Sequence, residues 1–180
     1  MGENKIDKKK LIEKWAVRCF LINTGVNPTE SLFMPYPEEP ADIIYENQEF
    51  QVTTAPAEVE AVVGRLDREE VVKIGNTEGE WVKFGPIRVK SWGSSCNIEE
   101  SFDLFIIKPI ENKLDHYGRK STPIALKDIN LLIFCYNSIV SPWNEELFDE
   151  FKKSKSDYFK KTGFKSIYLL DQKTNIKIYP

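Results

Sequence analysis

The segment from Pro40 to Thr53 constrains the fold of this 180-residue chain more than any other, because it has the pattern of a tight β-hairpin. Ile43 to Tyr45 are apolar and predict one short strand. Glu46 to Gln48 are polar and predict the turn. Glu49 to Thr53 alternate polar and apolar side chains with the period of two that a half-buried strand requires. The sequence therefore predicts a β-sheet that begins with this hairpin.

The same hairpin carries polar side chains that we expect at one end of the sheet. Glu49 and Gln51 point to one face of their strand, and Phe50 and Val52 point to the other. A hairpin this short is expected to bring Asp42 near Glu49. Two carboxylates at close range repel each other unless a cation lies between them, and oxygen-rich pairs suit Mg²⁺ or Mn²⁺. The alternative is that both acids are solvated surface residues.

This arrangement resembles the PD-(D/E)XK nuclease superfamily. The superfamily pattern is a proline–aspartate step followed, on the next strand, by an acidic residue, any residue and a lysine. The corresponding positions here are Pro40-x-Asp42 and Glu49-x-Gln51. One residue separates the proline from the aspartate, and glutamine stands where lysine usually stands. The resemblance implies a restriction-endonuclease-like fold and a metal-dependent endonuclease that hydrolyses DNA phosphodiester bonds.

The resemblance also implies a role for each site residue. Asp42, Glu49 and the backbone carbonyl of Phe50 would hold Mg²⁺ or Mn²⁺, which would polarise the scissile phosphate and activate a water. Gln51 would orient that water, but an amide brings no charge. Relatives that relocate their lysine place it on a following helix, which makes Lys113 the candidate cation. Lys108 is the second choice, and a solvated helix lysine is the alternative for both.

Three further residues have reactive side chains, and for each the structural interpretation is preferred. Glu13 occupies a helix where several superfamily members carry an extra acid, but neighbouring Lys10 and Lys14 favour an exposed charge. His116, the single histidine, suits the C-terminal end of a helix, where it interacts favourably with the last carbonyls. A nucleophilic Cys96 would need a base, and His116 is only a remote candidate.

Basic and aromatic side chains alternate between residues 71 and 92. Such strands can follow a phosphate backbone and stack bases, although the two faces of a hairpin give the same pattern. The net charge is −3, so a large phosphate footprint is not expected, whereas a local basic groove is compatible with the composition. The candidate nucleic-acid-binding residues are Lys73, Lys83, Arg88 and Lys90. A second strip, read as a solvated helix face, comprises Lys152, Lys153, Lys155, Lys160 and Lys161.

The remaining pattern predicts one domain, residues 1–180, of the α/β (α+β) class, with a mixed central β-sheet flanked by helices. Residues 71–95 are interpreted as an inserted β-meander. Gly25 and Gly163 are expected to end helices, and Pro109 to interrupt one. The predicted helices cover residues 7–23, 57–68, 97–117 and 147–161, and the further strands cover residues 129–136, 165–170 and 175–179.

Cysteine usage and hydropathy bear on location and partners. Cys19, Cys96 and Cys135 form no CxxC or Cys-His cluster, so a zinc site is not expected and reduced thiols in a cytoplasmic protein are the simplest interpretation. No apolar run is long enough to span a membrane. The superfamily resemblance implies a homodimer, although nothing in the sequence marks an interface.

Three functions remain open from the sequence. The first is the DNA endonuclease described above, with nucleic acid as its partner. The second is the same fold acting as a catalytically silent module that binds nucleic acid or protein, which the glutamine at position 51 and the acidic net charge favour. The third is a small α+β domain unrelated to nucleases, whose hairpin carboxylates lie on the surface without a role.

Overall fold

The computed structural model of the chain describes residues 8–35, 40–55, 81–84, 87–90, 102–120, 124–135 and 145–180. These residues form a six-stranded mixed sheet with helices packed on both faces, and a separate two-stranded antiparallel sheet. The expected class, a mixed sheet flanked by helices, is therefore confirmed. In the part of the chain just given, no helix is long and apolar enough to cross a membrane.

The elements are numbered in chain order. The strands are β1 Phe33–Pro35, β2 Ile43–Tyr45, β3 Gln48–Ala55, β4 Trp81–Phe84, β5 Ile87–Lys90, β6 Ile129–Cys135, β7 Ser166–Leu170 and β8 Asn175–Tyr179. The helices are α1 Lys8–Asn23, α2 Lys108–Gly118, α3 Glu145–Ser154 and α4 Ser156–Thr162. The large sheet has the order β1-β2-β3-β6-β7-β8, and β4 pairs with β5.

The hairpin of β2 and β3 closes through a two-residue turn. Tyr45 pairs with Gln48, which leaves only Glu46 (φ 49°) and Asn47 (φ 69°) between the strands. Two consecutive positive φ angles define the type I′ turn, whose twist matches that of the flanking strands. The expectation of a turn that also includes Gln48 is wrong. The observed register places Ile44, and not Asp42, opposite Glu49.

Strand β6 lies at the centre of the large sheet. It runs parallel to both β3 and β7, and all seven of its residues are buried, which confirms the predicted central strand. Its one polar residue, Asn130, holds the three strands together. The Asn130 Nδ2 donates to the Glu49 carbonyl at 3.2 Å, and its Oδ1 accepts from the Ser166 hydroxyl at 2.5 Å. This polar group is therefore satisfied in the core.

The two faces of the sheet bury separate cores. Helix α1 packs against the face that carries Phe50 and Val52 of β3. Helices α2, α3 and α4 pack against the opposite face. Since side chains alternate along a strand, Gln51 points toward α2. A polar side chain of the central sheet is thus enclosed beneath a helix.

Helix α2 begins after a π-helical turn. Residues Asp103–Ile107 form this turn, in which the Lys108 N–H donates to the Asp103 carbonyl. Pro109 follows directly, in the first turn of α2. A proline has no N–H, so the wider turn occurs where the regular helical ladder loses a donor. The interruption predicted at Pro109 is present as this change of helix type.

The predicted helix stops are confirmed at both glycines. Gly25 has φ 83°, and its N–H and that of Val26 bond to the Ile22 and Leu21 carbonyls, both at 2.9 Å. This is the Schellman pattern, which caps α1. Gly163 has φ 80° and ends α4. Both positions need a left-handed backbone that glycine adopts without strain.

Several expectations are corrected by the structure. The helix predicted over residues 147–161 is two helices that meet at Lys155, and Leu147, expected inside, is 38% exposed. The loop predicted over residues 26–40 contains a 3-10 turn, Glu30–Leu32, and the edge strand β1. The hairpin of β4 and β5 is the described portion of the predicted β-meander. Three features named from the sequence lie outside the described residues: the helix predicted at residues 57–68, the side chain of Lys73 and the thiol of Cys96.

Candidate functional site

A pocket of about 390 Å³ lies between the first turn of α1, the start of β2, strand β3 and helix α2. Its size is within the range of small-molecule sites. Four of its lining residues are buried or half-buried, and the other five are exposed. The lining residues are Lys9, Asp42, Gln51, Asn112, Lys113, Asp115, His116, Tyr117 and Arg119.

Asp42 holds the start of β2 to β3. Its backbone N–H donates to the Phe50 carbonyl at 2.8 Å, and its Oδ2 accepts from the Val52 N–H, also at 2.8 Å. Strand β2 has three residues whereas β3 has eight, so β2 does not pair with the second half of β3. The Asp42 carboxylate supplies the acceptor that a longer β2 would have supplied to Val52. The hydrogen bonds of this acid are therefore part of the fold.

Gln51 continues the network from Asp42 toward α2. Its side chain is 2% exposed, and its Nε2 donates to Asp42 Oδ2 and to the Val52 carbonyl. Its Oε1 accepts from the Tyr117 hydroxyl at 2.5 Å. Reversing the amide would place its nitrogen against the phenol donor and its oxygen against the carboxylate. The network therefore fixes the orientation of the Gln51 amide.

Tyr117 is one of the site residues that the sequence interpretation missed; the others are Lys9, Asn112, Asp115 and Arg119. Tyr117 is 8% exposed, and its hydroxyl has a second possible acceptor, the Pro40 carbonyl at 3.2 Å. Tyr117 lies one helical turn after Lys113, on the apolar stripe of α2. A tyrosine on a buried stripe needs a partner for its hydroxyl, and this was the signal that pointed to a polar group beneath the helix.

Glu49 and Phe50 do not join Asp42 at the pocket. Glu49 is half-buried, lies opposite Ile44 and is not among the lining residues. The Phe50 carbonyl accepts the Asp42 N–H. Within the described ranges, no group of three or more His, Cys, Asp or Glu side chains could hold a metal ion. Glu49 therefore lies outside the pocket lining, and binding of Mg²⁺ or Mn²⁺ by Asp42, Glu49 and the Phe50 carbonyl stays a prediction.

The other candidate residues fall in different places. Lys113 is half-buried and lines the pocket, whereas Lys108 is exposed with its Nζ 3.8 Å from Asp103 Oδ2. His116 lies in the last turn of α2, as expected, and also lines the pocket. The exposed-charge interpretation of Glu13 is wrong, because this residue is 7% exposed and its Oε1 lies 3.6 Å from Lys9 Nζ.

The candidate nucleic-acid-binding residues lie on a different element from the pocket. Lys83 is on β4, and Arg88 and Lys90 are on β5, with Lys83 paired in register to Arg88. Lys73 is outside the described residues. Contact of these side chains with nucleic acid stays a prediction.

The charges around the pocket favour an anion. Lys113, Arg119 and Lys9 contribute three cations to the lining, against the carboxylates of Asp42 and Asp115, and Lys9 Nζ also lies 3.6 Å from Glu13 Oε1. The Asp42 charge is partly compensated by the donors of Gln51 and Val52. A concave site with an excess of cations raises the local concentration of anionic ligands.

Comparison with known proteins removes the nuclease interpretation. No protein-family model and no curated protein matches this sequence. A solved structure from Pseudomonas aeruginosa strain PAO1, described as a protein of unknown function of the monooxygenase superfamily, matches this chain with a TM-score of 0.50 and 13% identity. The match covers 95% of this chain and 72% of that one. At this identity the likeness shows the fold alone.

The structural match is with a monooxygenase-superfamily protein and not with a nuclease. The resemblance to the PD-(D/E)XK superfamily inferred from Asp42 and Glu49-x-Gln51 is therefore wrong. The metal-dependent endonuclease function that followed from it is wrong as well. In the structure the two acids have different surroundings: the Asp42 carboxylate accepts from the Val52 N–H, and Glu49 lies opposite Ile44.

Proposed function

We propose that this chain is a binding protein whose pocket between α1, β3 and α2 takes a small anionic ligand without cleaving it. The observation that carries the proposal is the presence of three cations, Lys9, Lys113 and Arg119, in the lining of a pocket of about 390 Å³ where Asp42 already accepts a hydrogen bond within the fold. The proposal keeps only the catalytically silent character of the second function left open by the sequence, and it replaces the nucleic-acid or protein partner with a small anion.

The cationic side chains of the lining suit a phosphate or carboxylate group. Arg119, directly after α2, offers the planar fork that matches these anions, and the Lys113 ammonium adds a point charge from within α2. Individually, exposed ion pairs contribute little, but several cations around one concave site act together. Binding is therefore expected to weaken as salt concentration rises.

Monooxygenase activity and DNA binding have less support than binding of an anion. The monooxygenase description belongs to the structural neighbour, whose own function is unknown, and a shared fold does not by itself carry an activity to this chain. DNA binding, homodimer formation and a cytoplasmic location stay predictions from the sequence. The restriction-endonuclease-like form of the fold also stays a prediction, and the proposed function does not depend on it.

The test is titration of the native chain with methyl phosphate, followed by two-dimensional NMR at low salt. Resonances of residues lining the pocket are expected to shift. In the Lys113→Gln/Arg119→Gln variant, the affinity is expected to fall by roughly 10- to 100-fold, because two charge-assisted contacts are lost.

The matched control is Lys160→Gln/Lys161→Gln, which removes the same charge from exposed positions of α4, away from the pocket. This variant should bind like the native chain. An equal loss of affinity in both variants would show that binding depends on net charge and not on the pocket. Failure of the native chain to bind methyl phosphate would refute the proposal.

A further inference from the structure

The end of α2 lines the pocket with side chains of both charges. Lys113 and Asp115 lie within α2, and Arg119 follows the helix directly. Lys113 is half-buried, whereas Asp115 and Arg119 are exposed. In the part of the chain that the structure describes, none of these three side chains forms an ion pair or a hydrogen bond. Two cations and one carboxylate of the lining are therefore available to a ligand.

Asp115 differs in this respect from the other acid of the lining. Asp42 Oδ2 accepts from the Val52 N–H at 2.8 Å and from Gln51 Nε2, so the fold uses that carboxylate. Asp115 precedes Arg119 by four residues, the spacing at which an acid and a base can pair on a helix surface. An exposed pair of this kind contributes little to stability. A ligand that holds the two charges apart therefore does so at small cost.

The position of Asp115 affects any anion that binds at Arg119. Residues four apart on a helix are separated by about 6 Å along its axis. A phosphate at Arg119 therefore lies near the Asp115 carboxylate, and the two negative charges repel each other. A ligand that also carries a positive group, two carbon atoms from its phosphate, replaces this repulsion with an attraction. The lining thus favours a ligand that carries both charges.

We propose that the pocket selects phosphate monoesters that carry an ammonium group over monoesters of the same size that carry a hydroxyl group. This rests on the proposed function, in which Lys113 and Arg119 receive the phosphate. The ammonium group then lies against Asp115 and donates to its carboxylate. Asp115 is the residue that determines this specificity.

The test compares 2-aminoethyl phosphate with 2-hydroxyethyl phosphate, with methyl phosphate as the baseline for the phosphate alone. Dissociation constants are measured by NMR titration at one low ionic strength and about pH 8, where phosphate is a dianion (pKa about 6) and an alkyl amine is protonated (pKa about 10). In the native chain, the amine ligand is expected to bind about threefold more tightly than the hydroxyl ligand. Attraction to the cations of the lining predicts the reverse order, because the amine ligand carries less net negative charge.

Asp115→Asn tests the assignment to this residue. The variant keeps the shape of the side chain and removes its charge, so the preference for the amine ligand should disappear. Asp157→Asn is the matched control, because Asp157 is an exposed acid in the first turn of α4 and is not among the lining residues. It changes the net charge of the chain by the same amount, and the preference should persist.

The outcomes separate the two proposals. If the native chain binds methyl phosphate but binds the amine ligand no more tightly than the hydroxyl ligand, the selectivity is overturned and the anion site stands. Absence of binding for all three phosphates overturns both proposals. A preference that persists in Asp115→Asn, or that is lost equally in Asp157→Asn, overturns the assignment to Asp115. The comparison of ligands in the native chain decides the selectivity without any variant.

Discussion

Removing the Asp42 carboxylate should destabilise the chain, because its Oδ2 accepts hydrogen bonds from two donors of β3. In Asp42→Ala, the Val52 N–H loses its acceptor and Gln51 Nε2 loses one of its two acceptors. Both donors are buried. A buried donor without a partner costs about 1–3 kcal/mol, so we expect a total loss of about 2–4 kcal/mol from the free energy of unfolding.

Two matched variants isolate the cause. Asp42→Asn keeps an oxygen that can accept from Val52, so the loss should stay below about 1.5 kcal/mol. Glu49→Ala removes the acid of β3, which is half-buried and lies opposite Ile44, and the loss should be below about 1 kcal/mol. The order of stability is therefore native, then Glu49→Ala and Asp42→Asn, then Asp42→Ala.

The assay is urea unfolding followed by far-ultraviolet circular dichroism, with equal m-values required before the free energies are compared. If the acids repelled each other across the hairpin, removing either one would stabilise the chain. An Asp42→Ala chain within about 0.5 kcal/mol of the native one, or a Glu49→Ala chain that is equally destabilised, would refute the capping role.

Three further predictions concern buried groups. Burial raises the pKa of Tyr158 to about 12, with the charges of Glu111 and Asp103 adding to the shift. The phenol of the unfolded chain ionises at about pH 10, whereas that of the native chain keeps its proton to higher pH. The free energy of unfolding should therefore be constant in this respect below about pH 10 and fall as the pH rises toward 12. In urea unfolding, Tyr158→Phe should lose less free energy over this range than the native chain, and an equal loss in both would contradict the assignment. Burial also raises the pKa of the Cys19 and Cys135 thiols, that of Cys19 to about 12. In a Cys96→Ser chain, a thiol reagent should therefore label neither cysteine until urea unfolds the protein, and rapid native labelling would argue against their burial. Asn130→Ala should cost about 2–4 kcal/mol in urea unfolding, because the Glu49 carbonyl and the Ser166 hydroxyl lose their partner; a neutral effect would show that β3, β6 and β7 do not need this link.

Much of the fold follows from local pattern. The apolar run that became β6 has no polar face, and only a strand covered on both sides accommodates it. Gly25 and Gly163 stand where the backbone turns left-handed at helix ends. Pro109 marks the change of helix type because its nitrogen has no hydrogen to donate. These features depend on the residue itself or on neighbours within one turn.

The candidate site was harder to predict because its members are far apart in the sequence. The sequence picked out Asp42, Gln51 and Lys113, which line one pocket, and also Glu49, which does not. A turn one residue shorter than expected changes which side chains face each other across a hairpin. Tyr117 was missed because its partner, Gln51, lies 66 positions earlier in the chain.

The sequence by itself determined the element types, the central position of β6 and the polar character of the hairpin, since these depend on periodicity and backbone preference. Only the tertiary structure decided which groups Asp42 and Glu49 contact. Packing of α2 over β3 brought the Tyr117 hydroxyl to Gln51, and the short β2 left Val52 needing an acceptor. A buried polar group must find a partner, and which partner it finds is a matter of three-dimensional proximity, which no local pattern encodes.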